Sequence, residues 1–380
     1  MAEIEDPVSE SSRGAIPLKL IKTYLAFLKR SITSPLRRSK GRGAPGYRRD
    51  VAYAFIRQLL AELGAKQVQF LTRTTDKMYN RITKNKGKAP NSVQLPEQAK
   101  GHWIGNPQAR FVMLYSHGGG FFGSATFGHI RYLYRLQEEM AQAGHDFSIF
   151  VLTYTLSPNG VYPLQLKQAA SALNYLLTEE HRDPATILLG GDSAGGNLTS
   201  ALLEHIVRPH ADVPPVSLAR PLHAVLLISP WISFSTSWPT FESNAESDYI
   251  SRRAINRAAI TYIAPGSKPD AYSEPNTSPV DFWADVAKRA VQNLLIWGGG
   301  GEVLIDGIKD FAAKVSAGFA QADPSSVQDD GSTKRPPRFK LIVTPKCAHE
   351  EMIIDELALG WVKGGEAARD VESWLSAVLS

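Results

Sequence analysis

The chain has 380 residues, 43% of them hydrophobic and 21% charged, enough to bury the core of one large domain or two modest ones. Its single cysteine, Cys347, excludes an intramolecular disulfide, so the fold owes nothing to an oxidising compartment and a cytoplasmic setting is the default. The net charge of +5 hides an asymmetry: residues 1–100 hold 20 Lys and Arg against 8 Asp and Glu, a net +12, whereas the remainder holds 22 against 29. A basic quarter of this kind suits an anionic surface, but no nucleic-acid-binding motif accompanies it, and nucleic acid is not an expected partner.

The opening residues, MAEIEDPVSESS, lack the basic and apolar regions of a secretory leader. No later run approaches the roughly 20 apolar residues of a spanning helix. Leu18, Ile21, Leu25, Leu28 and Ile32 share one helical face, with Lys19, Lys22, Lys29 and Arg30 mostly elsewhere on the wheel. Such a helix either packs its stripe on the protein or lies on a membrane surface. Residues 1–100 show no clear strand and are read as an N-terminal helical cap region.

From about residue 110 the pattern alternates. Strands are expected at Phe111–Ser116, Ser148–Tyr154, Ile187–Gly190, His223–Ser229, Asn293–Trp297 and Phe339–Val343. Helices are expected near Thr126–Ala143, Leu164–Glu180, Asn197–Val207, Ile305–Ala320 and Glu366–Leu379. Alternation of this kind indicates an α/β fold with a mostly parallel central sheet and helices on both faces. The strands are near-continuous apolar runs, such as Val-Leu-Leu-Ile at 225–228, as burial on both faces requires.

Residues 101–380 therefore read as the main domain. One stretch interrupts it, about 233–290, where Trp238, Phe241, Tyr249, Tyr262, Tyr272 and Trp283 stand among Pro, Ser and Asn. It reads as a cap insertion over the sheet edge where such folds bind ligands. Its aromatics either line an apolar pocket or fill ordinary core beneath the cap. Residues 321–338 read as a surface loop.

Gly191-Asp192-Ser193-Ala194-Gly195 follows an apolar strand and precedes a helical run. A Gly-x-Ser-x-Gly sequence in that setting is the nucleophile elbow: its glycines relieve crowding in a sharp turn that thrusts the serine above the sheet. The helix N-terminus behind it favours developing negative charge. Earlier, His117-Gly118-Gly119-Gly120 ends another strand. Glycines there let backbone N–H groups approach a substrate oxygen, and the Ala194 N–H is the second donor source.

His-Gly-Gly-Gly-Phe followed by Gly-Asp-Ser-Ala-Gly-Gly is similar to the hormone-sensitive-lipase family of α/β-hydrolases, from about residue 103 to the end. Tyr154-Thr155-Leu156-Ser157-Pro158 resembles that family's Tyr-Arg-Leu-Ala-Pro segment, with Thr in place of Arg, and the longer stretch looks most like fungal members. The resemblance implies an α/β-hydrolase fold with a helical cap. It assigns the oxyanion donors to Gly119, Gly120 and Ala194, with His117, Gly118 and Asp192 supporting the motif and His117 shaping the loop.

In this fold the triad follows the order Ser, acid, His. His349 lies just past the last strand, whereas the other eight histidines come too early. Glu302-Val303-Leu304-Ile305-Asp306 matches the family's Asp-x-Leu-x-Asp with Glu in first place, so Glu302 is the expected acid and Asp306 the alternative. Cys347 has no base or oxyanion donors of its own and reads as a packing residue.

These residues point to a serine carboxylester hydrolase that forms an acyl-enzyme on an apolar small-molecule ester, with no metal or cofactor. Two alternatives use the same scaffold: an acyl-transferring, lactonising or cyclising enzyme, and a non-catalytic receptor. The presence of His349 argues against the receptor, since plant receptors of this family have lost the base.

Overall fold

The computed structural model describes residues 13–327, 336–360 and 365–380. The opening segment, residues 1–12, read above for a leader, lies outside the described residues, as do residues 328–335 of the expected loop. In chain order come four helices, α1 (Ile16–Ser39), α2 (Tyr47–Glu62), α3 (Ala65–Leu71) and α4 (Thr75–Asn85), and a hairpin, β1 (Ser92–Gln94) and β2 (Lys100–Ile104). Then β3 (Phe111–Ser116), α5 (Phe127–Gln142), β4 (Phe147–Thr153), α6 (Leu164–Thr178), β5 (Ile187–Asp192), α7 (Ser193–Val207) and β6 (Leu222–Ile228) alternate. Helices α8 (Thr240–Ser243), α9 (Arg252–Tyr262) and α10 (Val280–Arg289) precede β7 (Val291–Gly299) and α11 (Ile305–Ala322). The chain closes with β8 (Phe339–Thr344), α12 (Glu351–Ala358) and α13 (Glu366–Leu379).

The eight strands form one sheet in the order β1-β2-β4-β3-β5-β6-β7-β8. Strands β3 to β8 pair in parallel, and β2 runs antiparallel to both its neighbours. Alternate residues of each strand feed opposite layers. Val112, Leu114, Leu189, Val225 and Ile296 join the core beneath α6, α7, α10 and α11. Met113, Tyr115, Leu188, Leu226 and Trp297 join the one beneath α5 and α13. This double burial is why each strand reads as a continuous apolar run.

Two features depart from the sequence expectation. Strand β1 lies within the first hundred residues, and β2 follows at once. Neither is an apolar run, because β1 is an edge and β2 carries Lys100, Gly101 and His102. Gly101 is needed there: a Cβ would sit 1.7 Å from the Phe150 ring of β4.

The 233–290 segment is also not one insertion. Helix α10 packs beside α7 and α11 in the layer under the sheet, so only the part up to α9 stays near the site. Trp283 and Tyr262 are fully buried.

Helix α1 is tied down by an ion pair, Arg30 Nε and Nη2 donating to Asp50 at 2.8 and 2.5 Å, both side chains buried. Pro35 inside α1 has no N–H for the Ser31 carbonyl. The Tyr47 hydroxyl donates to that carbonyl instead, at 3.1 Å.

Candidate active site

Strand β3 has β4 on one side and β5 on the other, so the chain reverses its direction of sheet building there. Ligands of open α/β sheets bind at such a point, beyond the strand C-termini. The glycine loop leaves β3 and Ser193 leaves β5, so both reach this crevice.

Ser193 opens α7 with φ +47°, a left-handed conformation that non-glycine residues rarely adopt. The flanking glycines are required by space. A Cβ on Gly195 would lie 1.9 Å from the Ser116 carbonyl oxygen, and one on Gly191 2.3 Å from the Gly195 carbonyl. Gly119 has φ +108°, and a Cβ there would meet the Gly123 carbonyl at 2.7 Å. Among the described residues the Gly119 and Gly120 N–H groups donate to no backbone carbonyl. Both line the same cavity as Ser193. Ala194 is buried in the first turn of α7, where backbone N–H groups have no intrahelical partner.

Asp192 fastens loop to elbow. Its Oδ1 accepts from the Tyr115 hydroxyl at 2.7 Å, and its Oδ2 accepts from Gly118 N–H at 2.8 Å and from His129 Nε2 at 3.0 Å. His117 is wholly buried, stacks on Tyr154 and bonds the Gly118 carbonyl through Nδ1 at 2.8 Å. Burial outweighs that bond and pushes its pKa down to about 4, so the ring is neutral and shapes the loop.

His349 follows β8, and its Nδ1 donates to Glu302 Oε2 at 2.7 Å. The other carboxylate oxygen, Oε1, accepts from Gly299 N–H at 2.6 Å and from the Ser229 hydroxyl at 3.0 Å. Glu302 is fully buried. Asp306 points elsewhere and accepts from Thr240 N–H at 3.2 Å. Ser193 Oγ makes no hydrogen bond among the described residues.

Three residues of the site carry no motif. Ser229, at φ +44°, accepts from Glu350 N–H at 3.1 Å while donating to Glu302. Asp248 accepts from the His349 and Val303 N–H groups at 3.3 and 2.8 Å, and burial lifts its pKa to about 6. Glu350 is buried with Oε1 3.4 Å from His349 Nε2, while Oε2 accepts from the Tyr249 hydroxyl at 2.9 Å. Burial, together with nearby Asp192, pushes the Glu350 pKa up to about 7. For His349, burial alone lowers the pKa, but the facing Glu350 and Glu302 carboxylates prevail and hold it well above 6.5. Serine and glutamate are common in loops, and no spacing rule marks these as site residues.

His129, Asp192 and Glu350 bring three possible metal-ligand atoms within 4.8 Å of one another. Asp192 Oδ2 already accepts from Gly118 and His129, so the group is a hydrogen-bonding hub. Cys347 is buried, its thiol donating to Glu351 at 3.2 Å, and burial raises its pKa. That suits packing and not nucleophilic attack.

Above Ser193 and His349 lies an apolar cavity of about 560 Å³. Its walls include Phe27 of α1, Phe55 and Leu59 of α2, Ile255 of α9, and Ile353 and Leu357 of α12. Of the 233–290 aromatics named above, Tyr249 lines it and the others do not. In chemical terms, the arrangement offers a hydroxyl on a strained turn, an imidazole oriented by a buried carboxylate, and backbone donors beside both.

A family model described as the alpha/beta hydrolase fold matches residues 113–329. Among curated relatives, arylacetamide deacetylase of Bos taurus is 29% identical over 181 residues, covering 46% of this chain and 41% of that protein. Hormone-sensitive lipase of Mus musculus is 31% identical over 127 residues, 32% of this chain and 15% of that protein. Carboxylesterase NlhH of Mycobacterium tuberculosis is 30% identical over 161 residues, 41% of this chain and 45% of that protein. The chain thus spans less than half the length of these relatives.

Among solved structures, an esterase from the bacterial hormone-sensitive lipase family superposes with a TM-score of 0.59 at 22% identity, covering 88% of this chain and 98% of that one. Carboxyl esterase 2 from the mycorrhizal fungus Tuber melanosporum gives 0.58 at 19% identity, covering 76% and 85%. With the family model spanning more than half of its residues, the chain belongs to the alpha/beta hydrolase fold family, and it is similar to the hormone-sensitive lipase among its curated relatives.

Proposed function

We propose that this chain is a serine carboxylic ester hydrolase acting on apolar small-molecule esters through an acyl-enzyme. One observation carries the reading: the left-handed Ser193 shares a cavity with His349, whose far nitrogen is held by buried Glu302 at 2.7 Å. Ser193 attacks the ester carbonyl carbon while His349 Nε2 takes its proton. Glu302 keeps the imidazole in the required tautomer and stabilises its charge. Gly119, Gly120 and Ala194 N–H groups receive the oxyanion. The carbonyl reforms, His349 returns the proton to the leaving alkoxide, and water then hydrolyses the acyl-serine by the same steps. The apolar walls favour an apolar substrate. Helices α1 to α4, with the segment up to α9, serve as the cap. The esterase names among the relatives support this chemistry, and an intact base supports an enzyme over a receptor.

A fluorophosphonate probe tests it. Intact-protein mass spectrometry should show one adduct, and peptide mapping should find it on Ser193. An adduct on another residue, or none, sinks the proposal.

The pH profile tests the surroundings of the base. His349 must be neutral to accept a proton, and its pKa is held above 6.5 by the two carboxylates. The acid limb of kcat/KM should therefore fall above pH 6.5. Glu350→Gln removes a carboxyl 3.4 Å from Nε2, which withdraws stabilisation of the imidazolium and moves that limb to lower pH. A limb that stays in place would show that Glu350 does not bear on the base.

A further inference from the structure

Helix α1 is turned the unusual way round. Its buried residues are Ile16, Thr23, Arg30 and Ser34, three of the four polar, and they fall within an arc of about 40° on the helical wheel. The opposite arc, about 80° wide, carries Leu18, Ile21, Leu25, Leu28, Ile32 and Leu36, all between 39% and 80% exposed. A surface helix ordinarily does the reverse and buries its apolar stripe. The buried Arg30–Asp50 pair fixes this orientation, because rotating the stripe inward would strand both charges.

The charges on the helix itself are of one sign. Helix α1 holds Lys19, Lys22, Lys29, Arg30, Arg37 and Arg38, and neither Asp nor Glu. Lys22 and Lys29 stand directly beside the stripe on the wheel. Lys22 has Glu62 at 3.9 Å, and Arg37 pairs with Glu246 on the far side of the helix from the stripe.

The cavity meets α1 on the side away from the stripe. Phe27 of α1 lines the cavity wall. Arg13, just before α1, stacks over the Phe70 ring at 4.4 Å, and Lys19 donates to Gln67 at 3.0 Å, which sets α3 alongside. Phe70 and Leu71 at the end of α3 are exposed, and Leu71 reaches the cavity lining.

We propose that this face of α1 seats in the plane of an anionic lipid bilayer, its stripe among the upper acyl chains and its Lys and Arg among the headgroups. Charge selects this occupant over a second copy of the chain, since a two-fold contact through the stripe would set one basic helix against another. The docking itself does not depend on the hydrolase reading and is measured without substrate.

The experiment is vesicle flotation of the full chain. Phosphatidylcholine vesicles with about one-third phosphatidylserine should carry the protein at low salt, and pure phosphatidylcholine vesicles much less. Leu25→Asp combined with Ile32→Asp should cut the partition coefficient by about tenfold or more. Both residues are exposed and outside the cavity lining, so kcat on a water-soluble ester should hold. Lys22→Gln combined with Lys29→Gln leaves the apolar stripe intact and should remove the preference for phosphatidylserine. Failure of the wild type to float, or equal flotation of the aspartate variant, overturns the proposal. A concentration-dependent dimer abolished by the aspartate variant, with no wild-type flotation, overturns it in favour of a second copy.

Discussion

Ser193→Ala and His349→Ala are each expected to lower kcat on a short aryl ester by about 10⁶, and the double variant to lose no more than either alone. The reason is that the hydroxyl and the imidazole act in one event. A hydroxyl without a base nearby is a poor nucleophile, and a base without the hydroxyl has only water to activate. The backbone donors survive both changes, so residual turnover of about 10³ over the uncatalysed reaction is expected from them and from binding. Ser193→Ala should leave the fold intact, although alanine at φ +47° keeps the strain of the turn. Steady-state kinetics with unfolding by circular dichroism as control decide it. Losses that multiply in the double variant would show that the two residues act independently, and the triad assignment would fail.

Glu302→Gln should cost about 10⁴ in kcat with little change in KM. The geometry explains why an isosteric change is so severe. Glu302 Oε1 accepts from Gly299 N–H and from the Ser229 hydroxyl, so the glutamine oxygen must stay on that side. Its NH₂ then faces His349 Nδ1. That forces the proton onto Nε2, the nitrogen that should accept from Ser193, and the imidazole is left in the wrong tautomer. Asp306→Asn should change little, because that carboxylate caps Thr240 N–H. A loss below tenfold for Glu302→Gln would mean that another group orients the ring, Asp248 first among the candidates by its contact with the His349 backbone.

The parallel sheet and the elbow were legible because each rests on a local demand. A strand buried on both faces must be apolar throughout, as at 225–228, and a turn as tight as Gly191–Gly195 tolerates no Cβ on its flanks. Glu302 and His349 were reachable because chain order in this fold fixes where an acid and a base can come from. Ser229 and Asp248 were not, because what they do depends on partners 55 to 121 residues away, and Glu350, although next to His349 in sequence, meets Tyr249 and the Ser229 hydroxyl only through the fold. The β1–β2 hairpin escaped because an edge pair needs no apolar run. The facing of α1 escaped for another reason: periodicity gives the width of an apolar stripe and not which side of the helix meets the protein. The Arg30–Asp50 pair settles that, and it joins residues 20 apart.

The Asp192 hub has a consequence for how such chains diversify. The residue before the nucleophile looks like a free letter in Gly-x-Ser-x-Gly, yet here its carboxylate is spoken for by Tyr115, Gly118 and His129, from 63 to 77 residues upstream. A change at this letter leaves a hydroxyl, an amide and an imidazole buried without an acceptor, so it survives only alongside changes at 115 and 129. The elbow, the glycine loop and the start of α5 are therefore bound together as one hydrogen-bonded unit. The helices that wall the cavity are freer to change, since apolar residues exchange there without stranding a partner.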